Sequence, residues 1–146
     1  LGDVYKRQQA YRLMELQRWK KKRGSTMHIE PSNFPSTNPI SSLCIIAARE
    51  NGNDALILAN AVLAALWEDD RNIDDPDVLK NICFENELDG NQILRIAETT
   101  KTEKLFETDT QEAIKKGVFG APTYLIDGEI FWGQDRLDFV SEKLGI

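Results

Sequence analysis

In GVFGAPTYLIDGEIFWGQDRL, residues 117–137, the side-chain period changes from helical to alternating. Thr123 to Ile126 and Glu129 to Trp132 are β-prone and are separated by Asp127-Gly128, the strongest short signal for a two-residue hairpin turn. Asp135 to Leu144 then returns to helical spacing through Leu137, Phe139, Val140 and Leu144. Pro122 stands directly before the first strand, where its missing N–H marks an edge or a deliberate break in the ladder. With Gly120-Ala121 before it and Thr123-Tyr124 after it, one economical use of that proline is a cis peptide bond. The Ala121 N–H and C=O would then stand outside the ladder, free to pair with an extended peptide-like ligand.

Trp132-Gly133-Gln134-Asp135 falls where the second strand hands over to the last helix. Gly133 permits close backbone approach, and exposed N–H groups at a positive helix terminus favour an anion. Asp135 could accept from an ammonium or cap the helix itself. A ligand with an extended amide, a carboxylate and an ammonium would use all of these groups. Plainer readings stay open here: X–Pro bonds are more often trans, a tryptophan such as Trp132 is usually core, and Asp135 is in the place of an ordinary N-cap.

Two strands do not make a stable sheet, and the rest of the chain supplies no convincing third. Upstream the pattern is helical. Tyr11, Leu13, Met14, Leu16 and Trp19 recur at helical spacing from about Gln9 to Lys22, with Gly24 as the stop. Ser25 to Asn38 carries Pro31 and Pro35 and reads as a surface connection that Phe34 pins to the core. Asn38-Pro39 starts a helix to about Glu50, Asn53 or Asp54 caps Ala55 to Glu68, and Asp75-Pro76 opens one carrying Val78, Leu79, Ile82, Cys83 and Phe84. Asp89 caps a helix with Ile93, Leu94 and Ile96, and Thr102 to Lys116 turns Leu105, Ala113 and Ile114 inward before Gly117. ALILANAVLAALW, residues 55–67, is apolar on most faces, which predicts a central helix.

Bulk properties narrow the function. A chain of 146 residues, 41% hydrophobic, suits one globular domain. A net charge of −6 argues against nucleic acid as partner, and the basic run Lys20 to Arg23 reads as a solvated helix end. No apolar run reaches the roughly 20 residues of a membrane span. Cys44 and Cys83 lie far apart in apolar helical patterns, without a CxxC and with His28 as the lone histidine. They predict two buried thiols in a reducing cytoplasm rather than a disulfide scaffold or a metal site. The opening LGDVYKRQ, residues 1–8, reads as a linker or sequencing scar joined to a truncated reading frame.

GVFGAPTYLIDGEIFWGQDRLDFV closely resembles the C-terminal signature of the 2-hydroxychromene-2-carboxylate isomerase family, relatives of kappa-class glutathione transferases within the DsbA-like thioredoxin-fold group. YRLMELQRW followed by EPSNFPSTNP is similar to the same family's earlier pattern, so the likeness runs from about Tyr11 to Leu144. It implies an α/β thioredoxin-like fold of the DsbA/kappa type, with a mainly helical insertion over residues 9–116 and the C-terminal part of the thioredoxin-like domain over 117–146. By resemblance, Pro122 is the structural cis-proline and Ala121 pairs with the cysteinyl part of glutathione. Trp132, Gly133, Gln134 and Asp135 fall on the glutathione-binding segment, with Asp135 facing the γ-glutamyl ammonium. The implied reaction is glutathione-dependent cis–trans isomerisation of an aromatic acid in aromatic catabolism, with glutathione and a small aromatic substrate as partners and room for a homodimer.

Two departures qualify the likeness. The family's activating serine follows a first strand that has no equivalent here, and the lysine three residues before the matched tyrosine is replaced by Gln8. The expectation is a chain with little or no activity of its own, from a parent that is an enzyme. The rivals are a DsbA-type disulfide oxidoreductase, a kappa-like transferase, and a non-catalytic helical interaction module in which Tyr11, Trp19 and Trp67 face a partner.

Overall fold

A computed structural model describes residues 2–146. In chain order they form α1 (Gly2–Arg23), α2 (Ile40–Glu50), α3 (Ala55–Trp67), α4 (Pro76–Glu85), α5 (Gly90–Ala97), α6 (Thr100–Lys115), β1 (Thr123–Ile126), β2 (Glu129–Trp132) and α7 (Leu137–Leu144).

The element borders follow from capping chemistry. Asp54, Asp75 and Asp89 each accept a backbone N–H from the first turn of α3, α4 and α5. Pro39 occupies the N-cap position of α2, and the Asn38 side chain one residue earlier accepts the Ile40 N–H at 3.0 Å. α1 ends at Gly24, whose φ of +62° lets Ser25 donate back to the Lys20 carbonyl at 3.0 Å. It begins at Gly2, so the segment read as a scar is helical from that residue on.

Two compact units result, one ending at Glu103 and the other spanning Lys104–Ile146. In the first, α2 packs on α3 and α5, and α4 packs on α3 and α5. Their shared core holds Leu43, Cys44, Ile46, Leu58, Leu79, Ile82, Cys83 and Ile93. Gly90 is at the α4–α5 crossing, where a Cβ would meet the Lys80 carbonyl oxygen at 2.5 Å. The helices approach closely because that position has no side chain.

The central placement expected for α3 needs correction. Leu58, Val62, Ala65 and Leu66 are buried, while Leu56, Ile57 and Leu63 are 73%, 48% and 54% exposed. α2 and α4 cover only one side of α3, and a helix apolar all round carries no period to say which side. Ile114, expected inward, is likewise exposed, as is Phe84 on α4.

In the second unit β1 and β2 pair antiparallel from Thr123↔Trp132 to Ile126↔Glu129. Asp127 and Gly128 both take positive φ, +50° and +81°, which is the type I′ geometry that matches strand twist. α7 starts at Leu137, two residues later than expected, and ends at Gly145 in the left-handed region. Val140 is its buried residue.

Candidate functional site

Every residue singled out around Pro122 lies at the open end of the hairpin, opposite the Asp127-Gly128 turn. The Ala121–Pro122 peptide is cis. The Pro122 carbonyl accepts the Gly133 N–H at 2.9 Å, and Thr123 Oγ1 donates to the Gly120 carbonyl. These two bonds close the chain around Ala121. Its own N–H and C=O take no hydrogen-bond partner among the described residues, and the residue is exposed. An exposed donor and acceptor on one residue, just outside the start of a short strand, can pair with an added extended segment.

Trp132 closes β2 and is 53% exposed, so it is not the core residue that tryptophan usually is. Its ring is 5.0 Å from that of Phe119, centroid to centroid, and tilted by 58°. Gly120 lies under the indole: a Cβ there would fall into the ring nitrogen. An aromatic wall thus stands beside the unpaired Ala121 backbone. Phe119 was not singled out from sequence, although its place three residues before Pro122 was a usable signal, because a turn at Ala121-Pro122 brings it against the end of β2.

Gly133 has a φ of +110°, a conformation that side chains avoid. Its N–H is spent on Pro122, so this amide is not the free anion donor expected of it. The Gln134 and Asp135 amides take no partner among the described residues and keep that capacity. Asp135 does not cap α7; Arg136 holds the N-cap position and makes no side-chain cap bond. Instead an Asp135 carboxylate oxygen lies 2.9 Å from Arg136 Nη1. Both side chains are about half exposed, so this pair is weakly held and can yield to an incoming ammonium.

The two thiols lie elsewhere and are chemically quiet. Burial pushes Cys44 up to about 12 and Cys83 up to about 11. Thiolate is the reactive form, so neither residue suits thiol exchange near neutrality.

The family model of a DSBA-like thioredoxin domain matches residues 2–145. The chain belongs to this family. Within the DSBA-like group it is similar to two proteins named 2-hydroxychromene-2-carboxylate isomerase. One, from Sphingobium xenophagum, is 27% identical over 133 residues, 90% of this chain and 66% of that protein. The other, from Pseudomonas putida, is 24% identical over 135 residues, 92% of this chain and 64% of that protein. The chain therefore spans just under two thirds of the length of these relatives. A solved 2-hydroxychromene-2-carboxylate isomerase structure superposes with a TM-score of 0.80 at 23% identity, covering 97% of this chain and 68% of that one. The DSBA-like fold read from the hairpin motif, and the resemblance to the isomerases, agree with these matches. No helix among the described residues is long and apolar enough to cross a membrane.

Proposed function

We propose that this chain carries the glutathione-binding part of a glutathione-dependent isomerase acting on acids of the 2-hydroxychromene-2-carboxylate type. The observation that carries the reading is the unpaired Ala121 backbone beside Trp132 and the Gln134-Asp135 amides, in a chain whose relatives are named as such isomerases. Ala121 N–H and C=O would pair with the cysteinyl residue of the tripeptide. Asp135 would accept from the γ-glutamyl ammonium, and the neighbouring amides would hold its carboxylate. Phe119 and Trp132 would exclude water on one flank. When bound at Ala121 and Asp135, glutathione would supply a thiolate nucleophile, the chemistry that reversible addition to an unsaturated acid and cis–trans isomerisation would need. The rival disulfide-exchange reading is disfavoured for the two thiols present, both buried and held protonated.

Calorimetry tests the reading on this chain directly. Glutathione should bind with a saturable heat at millimolar concentration or below. Asp135→Asn should weaken it about tenfold, the size of one charge-assisted hydrogen bond. Cysteinylglycine, which lacks the γ-glutamyl group, should bind weakly and should not sense that substitution. A flat titration with glutathione at several millimolar would sink the proposal.

A further inference from the structure

One hydroxyl governs the direction of the backbone donor at the open end of the hairpin. The Ala121 N–H belongs to the peptide plane that it shares with the Gly120 carbonyl. That peptide is trans, since the cis bonds among the described residues are Phe34–Pro35 and Ala121–Pro122. The carbonyl and N–H of a trans peptide point in opposite directions. Whatever fixes the Gly120 carbonyl therefore also fixes the Ala121 N–H.

The Gly120 carbonyl accepts from Thr123 Oγ1 and takes no second hydrogen bond among the described residues. Thr123 is itself well anchored. It opens β1, pairs with Trp132 in the ladder and is partly buried. A β-branched side chain has few χ1 choices, so its hydroxyl is held where the carbonyl meets it. With the carbonyl turned toward Thr123, the Ala121 N–H is left on the far side of the plane, on an exposed residue and without a partner of its own.

The residue that precedes the plane makes this restraint necessary. Gly120 has no Cβ, which lets the Trp132 indole lie against it and also removes a steric barrier to rotation of the plane. A rotated plane would present a carbonyl where a ligand carbonyl has to dock, and attraction would become repulsion. The bond to Thr123 also polarises the amide, because chains of hydrogen bonds strengthen one another.

We propose that Thr123 is a positioning residue of this site, its hydroxyl aiming the Ala121 N–H at the carbonyl of an extended, peptide-like ligand. The inference rests on the glutathione reading for the identity of that ligand, and not for the orientation of the amide.

Two substitutions test it. Thr123→Val removes the hydroxyl and keeps the shape and β-branching, whereas Thr123→Ser keeps the hydroxyl and removes the methyl. The Ala121 amide signal is followed by nitrogen–proton correlation spectroscopy on the whole labelled chain, first without ligand and then with glutathione. Without ligand, the signal should move in Thr123→Val and stay near its parent position in Thr123→Ser. With glutathione, Thr123→Val should bind about three- to tenfold more weakly, the size of one hydrogen bond, and Thr123→Ser should retain most of the parent affinity. Unchanged far-ultraviolet circular dichroism serves as the folding control. An Ala121 signal that ignores Thr123→Val, or an equal loss of affinity in both variants, overturns the proposal, the second outcome because it makes Thr123 a packing residue. The two readings fail separately. A parent chain that ignores glutathione while its Ala121 signal depends on the hydroxyl removes the isomerase reading and leaves the orienting role standing. Glutathione binding of equal strength in the parent and Thr123→Val removes the role of Thr123 and leaves the isomerase reading standing.

Discussion

The Gly133 amide donates to the Pro122 carbonyl at 2.9 Å, joining the residue after β2 to the residue before β1. That bond extends the hairpin by one step beyond the Thr123↔Trp132 pair and leaves Ala121 as the first residue outside it. The position of the exposed Ala121 backbone therefore depends on a conformation that only Gly133 supplies easily.

Gly133→Ala should damage the site more than the fold. A Cβ there would lie 2.6 Å from Asp135 Oδ1, on a backbone with φ of +110°. Strain of this kind costs roughly 1–3 kcal/mol. Urea denaturation should show a loss of that order, and glutathione binding should fall with it. A variant of unaltered stability and affinity would refute the assigned role.

Gly120→Ala displaces the Trp132 indole, because the added Cβ and the ring nitrogen would overlap. The Phe119–Trp132 pair should break, read as a change in near-ultraviolet circular dichroism and in tryptophan emission. Far-ultraviolet signal should be preserved, since the helices of the first unit do not involve this contact.

Gly90→Ala tests the core of the first unit. The new methyl would meet the Lys80 carbonyl oxygen at 2.5 Å and its Cα at 3.1 Å, both backbone atoms that cannot swing aside. Overpacking of this sort costs about 1–3 kcal/mol, visible as a lower urea midpoint. An unchanged midpoint would mean that α4 and α5 can separate freely.

Acid should loosen the loop that carries Phe34. Ser32 hydrogen bonds hold the Asp70 carboxyl below its ordinary value of 3.8, and the Ser36 hydroxyl, with Thr37, does the same for Asp74. With the folded pKa depressed, the unfolded chain binds protons first, so this stabilisation is complete above the ordinary carboxylate range and is lost as pH falls through the folded values. Asp70→Asn and Asp74→Asn should be less stable than the parent at pH 6, and the difference should shrink towards pH 3. A difference that stays constant with pH would remove the carboxylates as its cause.

The buried thiols give the opposite slope. Cys44 near 12 and Cys83 near 11 lie above the ordinary thiol value of 9.0. The unfolded chain therefore releases its thiol protons first, and stability should fall as pH rises above about 9. In the native state neither thiol should react with an aromatic disulfide reagent at pH 8, while denatured chain should titrate both. Rapid labelling of native protein would contradict the burial of these residues.

Local chemistry was legible from the sequence because it acts over a few residues. Asp54, Asp75 and Asp89 announce the helices that they cap, and Asp127-Gly128 announces a two-residue turn with both φ values positive. The hairpin register follows from that turn, since a two-residue loop leaves one way to pair Ile126 with Glu129. The placement of Ala121, Pro122 and Trp132 to Asp135 at one end of the hairpin was legible for the same reason.

Tertiary structure alone decided which faces are covered and which donors are spent. ALILANAVLAALW has no polar side to orient it, so only the positions of α2 and α4 bury Leu58 and Val62 and leave Leu56 and Leu63 exposed. The Gly133 amide looks available in a linear motif and is consumed by Pro122 once the strands pair. Arg12, Phe34 and Trp67 belong to a helix, a loop and another helix, and they share a cleft because Asp70 and Asp74 hold the loop between them. Contacts between residues so far apart in the chain depend on how every intervening element packs, and no short pattern encodes that.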